Sequence, residues 1–296
     1  MSIFIGSGTA ICTTFTSDYK FNPEAYQKLL QFQIKNGTDA IISCGTTGEA
    51  STLTNDEQVE VVRTAVTTVK ASDRKIPVIA GAGGNDTRNM IELGTNLIQA
   101  GVDALLLVTP YYNKTSQKGL VENFSYLASK LDIPIILYNV PARTALNMLP
   151  KTVEQLSKVE NIVAIKESSS DIVQIAEIIE RCGDNIDLYC GNDDHVVPVL
   201  SVGGKGVVSA VANIAPQHMH DMIMKFFEGD IKASAKMQLD VNALVRLLFT
   251  DVSPMPVKEA LNLMALNAGP CRRPLTTIED SLKQALNTEM KRFGLI

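Results

Sequence analysis

The sequence predicts a (β/α)8 barrel with a C-terminal helical extension. Up to about residue 210, eight short runs of apolar and β-branched residues alternate with longer segments of helical periodicity, as in βα units around a parallel sheet. The runs are almost continuously apolar, which indicates burial on both faces of the sheet. A doubly wound sheet usually has about five or six strands and a phosphate loop after the first, which is not found. The predicted strands are 9–15, 40–44, 78–80, 104–108, 135–138, 162–166, 187–190 and 206–209.

The segments between these runs have the start and stop signals of helices. Thr54 and Glu57 form a capping box before a stripe of valines, and Pro150 suits the first position of another helix. Asp171 precedes a stripe of isoleucines that ends at Gly183. Helices that alternate with the eight strands favour a closed barrel.

The strand signal disappears after about residue 215, where the periodicity becomes helical. We therefore divide the chain into a catalytic barrel, residues 1–224, and a C-terminal helical domain, residues 225–296. The predicted helices of the last part of the chain are 222–227, 233–249, 256–267 and 277–293.

Composition excludes several classes of protein. The 296 residues are 45% hydrophobic and 20% charged, with 27 basic and 32 acidic side chains, which describes a globular chain and not a disordered one. A net charge of −5 without a basic cluster argues against nucleic-acid or anionic-lipid partners. The apolar runs are far shorter than the roughly 20 residues that a membrane-spanning helix needs, and no export signal is visible. Five cysteines without C-x-x-C spacing are expected to be reduced and mostly buried in a cytoplasmic protein.

Lys166 is the first candidate for chemistry, because it ends an otherwise apolar strand. Active sites of such barrels lie at the carboxyl ends of the strands. An ammonium there loses hydration, which favours the neutral, nucleophilic amine that forms a Schiff base with a ketone. Alternatively, the side chain extends into solvent or pairs with Glu167, and position alone does not separate these readings.

A second strand end carries Tyr138, and Arg143 follows five residues later. A phenol can transfer protons, and a guanidinium can hold a carboxylate by two parallel hydrogen bonds. The simpler interpretation is a tyrosine across the barrel mouth and an arginine in a surface ion pair.

The segment 44–49, CGTTGE, places the hydroxyls of Thr46 and Thr47 between two glycines in a βα loop. Backbone amides and hydroxyls in such a loop suit a small anion, for example a carboxylate, although a plain tight turn is an equal alternative. Neither this segment nor the glycines at 81–84 fits a nucleotide-binding pattern.

Metal chemistry has little support, because the three histidines lack partners at a metal-ligand spacing. Tyr111 and Tyr112 are adjacent at a further strand end, where one could face the site and the other a neighbouring subunit. We predict no metal, and a Schiff base on Lys166 would need no organic cofactor, because the imine itself serves as the electron sink.

Together these segments resemble the dihydrodipicolinate synthase branch of the pyruvate-dependent class I aldolase superfamily. The motifs GTTGE, TPYYN, YNVPAR and AIKES occur in the order and at the spacings of that family, and the match runs from near the N-terminus through the barrel into the C-terminal helices. The resemblance implies a lyase of lysine and diaminopimelate biosynthesis that condenses pyruvate with L-aspartate 4-semialdehyde through a lysine Schiff base. It also implies a homo-oligomer, a tetramer by family analogy.

The resemblance further assigns roles to residues. Lys166 is implied to form the imine, and Tyr138 to transfer protons through Thr46 to Tyr112, which the family contributes across a subunit interface. The substrate-binding residues implied are Thr47, Val208 and Gly191 for pyruvate and Arg143 for the semialdehyde.

Arg143 favours the synthase over the sialic acid lyases, which share the lysine and tyrosine but lack this arginine. An aldolase acting on a 2-keto-3-deoxy sugar acid, and a barrel that only binds a keto acid or a protein partner, are the alternatives. Asn55, Gln58 and Asn89 replace the histidines or acidic groups of lysine-inhibited members, which argues against feedback inhibition.

Overall fold

A computed structural model describes residues 2–296, in which eight parallel strands form a closed barrel. Each strand pairs with the next in chain order, and the last pairs with the first through the register Gly8 with Val208. The predicted fold class is therefore confirmed. The strands are β1 (Gly6–Ala10), β2 (Ala40–Ser43), β3 (Val78–Gly81), β4 (Ala104–Val108), β5 (Ile135–Asn139), β6 (Ile162–Glu167), β7 (Asp187–Cys190) and β8 (Gly206–Ser209).

Helices surround the barrel and continue beyond it. Among those of residues 2–296, none combines the length and apolar character needed to cross a bilayer. The helices are α1 (Pro23–Lys35), α2 (Asn55–Ala71), α3 (Thr87–Ala100), α4 (Gln117–Lys130), α5 (Pro141–Thr144), α6 (Pro150–Leu156), α7 (Ile172–Cys182), α8 (Val196–Ser201), α9 (Pro216–Phe227), α10 (Ile231–Leu248), α11 (Met255–Leu263) and α12 (Asp280–Phe293).

The helix signals read from the sequence are confirmed. The Thr54 hydroxyl accepts from the Glu57 amide while the Glu57 carboxylate accepts from the Thr54 amide, so the capping box before α2 is complete. Asp171 caps α7, and Gly183 ends it. In the C-terminal part each predicted helix exists, but α9 starts six residues earlier and α12 three residues later than predicted. The proposed boundary between residues 224 and 225 falls inside α9 and remains an interpretation.

The first strand was predicted wrongly, because β1 spans Gly6–Ala10 and not residues 9–15. Its Gly-Ser-Gly start has low strand propensity, and pairing with β2 and β8 on both sides imposes the extended conformation. Glycine is required where β1 pairs with β8, since a Cβ on Gly206 would lie 2.0 Å from the carbonyl oxygen of Gly6. Beyond Ala10 the chain leaves the sheet, and the Cys12 amide donates to Asn213 Oδ1 at 3.0 Å.

Side chains alternate between the inside and the outside of the barrel. An inner cluster of apolar residues fills the barrel, and its amino end is closed by the rings of Phe4 and Tyr189, stacked 4.2 Å apart. A larger outer cluster lies between the strands and the helices. Because every strand runs in the same direction, all the carboxyl ends lie at one end of the barrel, which is where the polar strand-end residues meet.

All five cysteines are free and buried, as predicted. Burial raises the pKa of the Cys44 and Cys190 thiols to about 12, which keeps them protonated and unreactive at neutral pH.

A carboxylate at the amino end of the barrel joins β1 to α9. Asp39, just before β2, accepts hydrogen bonds from the Ser7 amide at 2.8 Å and from Arg74 at 3.0 Å. His220 Nδ1 lies 2.8 Å from the same carboxylate, whose hydrogen bond raises the histidine pKa. His220, on α9, is half-buried in this contact.

This pair predicts a pH-dependent contribution to stability. Because the pKa of His220 is raised on folding, the contribution is complete below the unfolded value of about 6.5 and is lost as the pH rises through the folded value. We expect His220→Gln to lower the free energy of unfolding by up to about 1 kcal/mol at pH near 5.5, with the difference shrinking above the folded pKa. Urea unfolding of both proteins across pH measures this, and a difference that grows with pH would contradict the assignment.

Candidate active site

Seven of the eight residues predicted for the site surround one cavity at the carboxyl end of the barrel. The cavity has a volume of about 50 Å³, and Tyr112 is the predicted residue that does not line it. The seven residues are Thr46, Thr47, Tyr138, Arg143, Lys166, Gly191 and Val208.

Lys166 and Tyr138 are direct cross-strand neighbours. They occupy paired positions of β5 and β6, and Lys166 Nζ lies 4.2 Å from the centroid of the Tyr138 ring. Both side chains are only 7% exposed. Lys166 therefore turns into the barrel mouth and neither extends into solvent nor pairs with Glu167, which excludes both structural alternatives for it.

The residues that follow them, Asn139 and Glu167, face outward and bond to each other. Asn139 Nδ2 lies 3.1 and 2.9 Å from the two carboxylate oxygens of fully buried Glu167, which also accepts from the Ser169 amide at 2.7 Å. Burial raises the pKa of Glu167, and these N–H donors oppose that rise by stabilising the carboxylate. The pair joins the ends of β5 and β6 one residue beyond Tyr138 and Lys166. Sequence reasoning missed this role, although two polar residues that end adjacent apolar strands were a visible signal.

The loop with Thr46 and Thr47 has an unusual backbone. Cys44 and Glu49, at its two ends, have φ values of 54° and 55° in the left-handed region, which is costly for residues other than glycine. Thr47 is buried and Thr46 is exposed. The conformation brings the loop against β3, where a Cβ on Gly81 would lie 2.1 Å from the Cys44 carbonyl oxygen.

The ends of β7 and β8 form the opposite wall. Gly191 lets this wall lie close to Ser168, the residue after β6, since a Cβ at position 191 would lie 1.8 Å from Ser168 Oγ. Asp193, which sequence reasoning missed, is buried, and its Oδ2 accepts from the amides of Ala210 and Val211 just after β8. Burial raises the pKa of this carboxyl group. Its contacts fix the β8 end, next to Val208, relative to the β7 end.

Arg143 lies on α5 at the rim, where it is exposed to solvent. Its Nη2 is 3.5 Å from the Ser253 carbonyl oxygen, the outer limit for a hydrogen bond, and Arg143 makes none of the ion pairs found in residues 2–296. The predicted alternative of a surface ion pair within the chain is therefore wrong. The guanidinium remains free to bind an anion at the entrance.

The two adjacent tyrosines diverge. Tyr111 lines a second cavity of about 400 Å³, which shares Thr46, Tyr138 and Arg143 with the first. Tyr112 has a φ of 67° and is 92% exposed.

The second cavity is also lined by Asn55, Gln58 and Asn89, the residues on which the expectation of no feedback inhibition rests. Asn55 Nδ2 donates to Asn89 Oδ1 at 2.8 Å, and Gln58 Nε2 lies 3.4 Å from the carbonyl oxygens of Ala50 and Leu53. Their side chains are thus engaged with the protein, and the expectation of no feedback inhibition remains a prediction.

An amine beside a phenol, with hydroxyls and a guanidinium around the same cavity, can perform imine and enolate chemistry. An amine can serve as the nucleophile, a phenol can move protons, and hydroxyls and a guanidinium can hold carboxylates. In the part of the chain that the structure describes, no group of three or more His, Cys, Asp or Glu side chains could hold a metal. Fold and site together define a barrel lyase of the Schiff-base aldolase type.

Comparisons with known proteins agree with this class. The model of the dihydrodipicolinate synthetase family matches residues 3–293, so the chain belongs to that family. The 4-hydroxy-tetrahydrodipicolinate synthase of Lachnoclostridium phytofermentans is 51% identical over 297 residues, covering 100% of both chains.

Solved structures give the same result. The dihydrodipicolinate synthase of Thermotoga maritima has a TM-score of 0.96 with 36% identity and covers 100% of both chains. The chloride-inhibited dihydrodipicolinate synthase from Acinetobacter baumannii complexed with pyruvate has a TM-score of 0.95 with 34% identity, covering 99% of each chain.

Proposed function

We propose that this chain condenses pyruvate with L-aspartate 4-semialdehyde to give 4-hydroxy-tetrahydrodipicolinate, through an imine on Lys166. The observation that carries the proposal is the pairing of Lys166 with Tyr138, 4.2 Å from amine to ring centroid, inside a strand-end cavity. The name shared by relatives at about 50% identity and the pyruvate complex of a solved relative support the same substrates.

Lys166 Nζ adds to the C2 carbonyl of pyruvate, and loss of water gives the imine. The protonated imine acts as the electron sink, so a C3 proton leaves and an enamine forms. C3 of the enamine attacks the aldehyde carbon of the semialdehyde. The amine of that substrate then attacks C2, closes the ring and releases Lys166. No metal or organic cofactor takes part in this sequence.

The surrounding groups have roles that follow from their places in the cavity. Tyr138, beside the amine, donates and accepts the protons, and the Thr46 hydroxyl passes them between Tyr138 and Tyr112. Thr47 binds the pyruvate carboxylate in the strained loop. Arg143, exposed at the rim without an ion-pair partner in the described chain, binds the carboxylate of the second substrate.

Gly191 and Val208 complete the pyruvate pocket. The backbone of Gly191 approaches closely because it has no side chain, and Val208 is buried in the inner wall.

Tyr112 supports assembly of several chains. The Tyr112 side chain is 92% exposed and its backbone lies in the left-handed region, so the ring projects from the chain and is available to a neighbouring chain. We propose a homotetramer in which Tyr112 of one chain enters the relay of its neighbour. Five buried free thiols suit a reducing compartment, and we assign the protein to the cytoplasm.

The imine is tested by borohydride reduction in the presence of pyruvate. We expect one pyruvate-derived adduct per chain, located at Lys166 by intact and peptide mass spectrometry. Lys166→Ala should gain no adduct and lose turnover by a factor on the order of 10³ or more, because the nucleophile is gone. An adduct that persists in the variant, or that lies on another lysine, would refute the assignment.

Arg143→Ala tests the second substrate. A charge-assisted hydrogen bond contributes about 1.5–3 kcal/mol, so KM for L-aspartate 4-semialdehyde should rise about 10- to 150-fold while the pyruvate adduct forms as before. Arg63→Ala, which removes an exposed arginine from α2, is the matched control and should behave as the parent protein. If the parent protein instead condenses pyruvate with the aldehyde that a 2-keto-3-deoxy sugar acid releases on cleavage, and not with the semialdehyde, the sugar-acid aldolase would be favoured.

Tyr112→Phe tests the shared relay. The variant keeps the ring but loses the hydroxyl, so kcat should fall about 100-fold, the lower range for general acid–base groups, while sedimentation still reports a tetramer. Tyr126→Phe, on α4 and also exposed, is the control and should keep full activity. A fully active variant, or a fully active monomer, would exclude a proton relay across subunits.

A further inference from the structure

A buried ion pair connects the C-terminal helices to the loop of the active site. Lys258 Nζ on α11 lies 2.6 Å from Glu49 Oε1, and the two side chains are 2% and 1% exposed. Lys258 also donates to the Pro270 carbonyl oxygen at 2.8 Å, and Glu49 Oε2 accepts from the Arg272 amide at 2.7 Å. Both charges are therefore paired and hydrogen-bonded, although the partners are 209 residues apart in the sequence.

Stability alone does not explain this pair. The loss of hydration of two buried charges offsets most of their attraction, and apolar residues of similar volume often serve as well. Glu49 adds a second cost, because its φ of 55° lies in the left-handed region. Glycine would remove that strain, but it would also remove the carboxylate that α11 and Arg272 hold.

The contact acts on the two threonines through a short path. The Glu49 amide donates to the Thr46 carbonyl oxygen at 3.0 Å, so the loop forms a closed turn around Thr47. Thr13 Oγ1 donates to the Gly48 carbonyl oxygen at 2.7 Å and holds the other side of the turn. The Glu49 carboxylate thus links the turn to Lys258 and Arg272 in the C-terminal part of the chain.

The C-terminal segment also binds the residues that follow the loop, up to the start of α2. Arg272 Nη1 donates to the Thr52 carbonyl oxygen at 2.7 Å, and its Nη2 lies 2.6 Å from Glu57 Oε1 at the start of α2. Lys258 and Arg272 both lie over the Phe15 ring, 4.1 and 4.5 Å from its centroid. Through Lys258 and Arg272 the C-terminal segment therefore contacts both Glu49 and the chain that follows it.

We infer that Glu49 and Lys258 are positioning residues for the pyruvate carboxylate, and that the C-terminal helices complete the active site by fixing the Thr46–Thr47 turn. The inference rests on the proposed function, in which Thr47 binds that carboxylate. Without the pair, the left-handed residue relaxes and the hydroxyls leave their places, although Lys166 and Tyr138 on their strands are unaffected.

The test measures borohydride trapping as a function of pyruvate concentration in the full-length protein, together with the unfolding temperature. Glu49→Gln leaves Lys258 without its counter-charge, and Lys258→Met keeps the chain length over Phe15 but removes the ammonium. The double variant Glu49→Gln/Lys258→Met has no buried charge at this place. Leu286→Ala opens a cavity in α12, away from the loop, and is the control for a loss of stability alone.

We expect each single variant to lower the unfolding temperature and to raise the pyruvate concentration for half-maximal trapping about tenfold or more, since small displacements of binding groups are costly. In the double variant the unfolding temperature should recover, because no unpaired charge remains, while the pyruvate dependence stays weakened. Leu286→Ala should lose stability but keep the parent's pyruvate dependence.

Two results would overturn the inference. One is a pyruvate concentration for half-maximal trapping that changes in parallel with the unfolding temperature. It would then return to the parent value in the double variant, or rise as much in Leu286→Ala as in the single variants. The other is unchanged trapping in folded Glu49→Gln and Lys258→Met. Absence of any adduct in the parent protein would instead reject the proposed function itself, so the two failures are distinct.

Discussion

The alternation of side chains along parallel strands in a closed barrel is the constraint on which the site depends. Tyr138 and Lys166 point into the barrel mouth because they share a register, and the next residues, Asn139 and Glu167, must then point outward. In the proposed mechanism the inner pair supplies the reacting groups, and the outer pair holds the two strand ends together. A shift of one residue in either strand would turn Tyr138 or Lys166 out of the cavity and Asn139 or Glu167 into it, so the register of β5 and β6 determines which side chains line the cavity.

The rigid and the strained parts of the site are separate. Lys166 lies on a strand bonded to neighbours on both sides, so the barrel itself fixes the amine. Thr46 and Thr47 lie in a loop with left-handed residues at each end, which needs support from outside the sheet. The Glu49 to Lys258 contact supplies that support from the C-terminal helices. Both halves of the chain thus contribute to one cavity, and a division into catalytic and accessory parts describes the sequence better than the chemistry.

Sequence reasoning succeeded where one local signal was sufficient. The helix caps, the buried strands from β2 onward and the polar strand-end residues Lys166 and Tyr138 all followed from short patterns. It failed at β1, where glycines conceal a strand that pairing on both sides creates. The predicted roles of Gly191 and Val208 came from the family resemblance, because no local pattern marks a residue that lines a pocket through its backbone. For Thr47 the loop pattern suggested a small anion, and the resemblance identified that anion as the pyruvate carboxylate.

The sequence by itself determined the fold class and the buried state of the thiols, since these depend on periodicity and residue type. The class of chemistry followed from the order and spacing of four motifs that resemble a known family, because a lysine at a strand end alone left it open. Only the tertiary structure decided which side chains meet. The bond between Asn139 and Glu167, the hold of Asp193 on the β8 end, and the ion pair between Glu49 and Lys258 join residues from 17 to 209 positions apart. Each contact depends on whether a polar side chain is buried and on which way it points. Neither can be read from the neighbouring residues in the sequence, because both are set by distant segments that pack around the side chain.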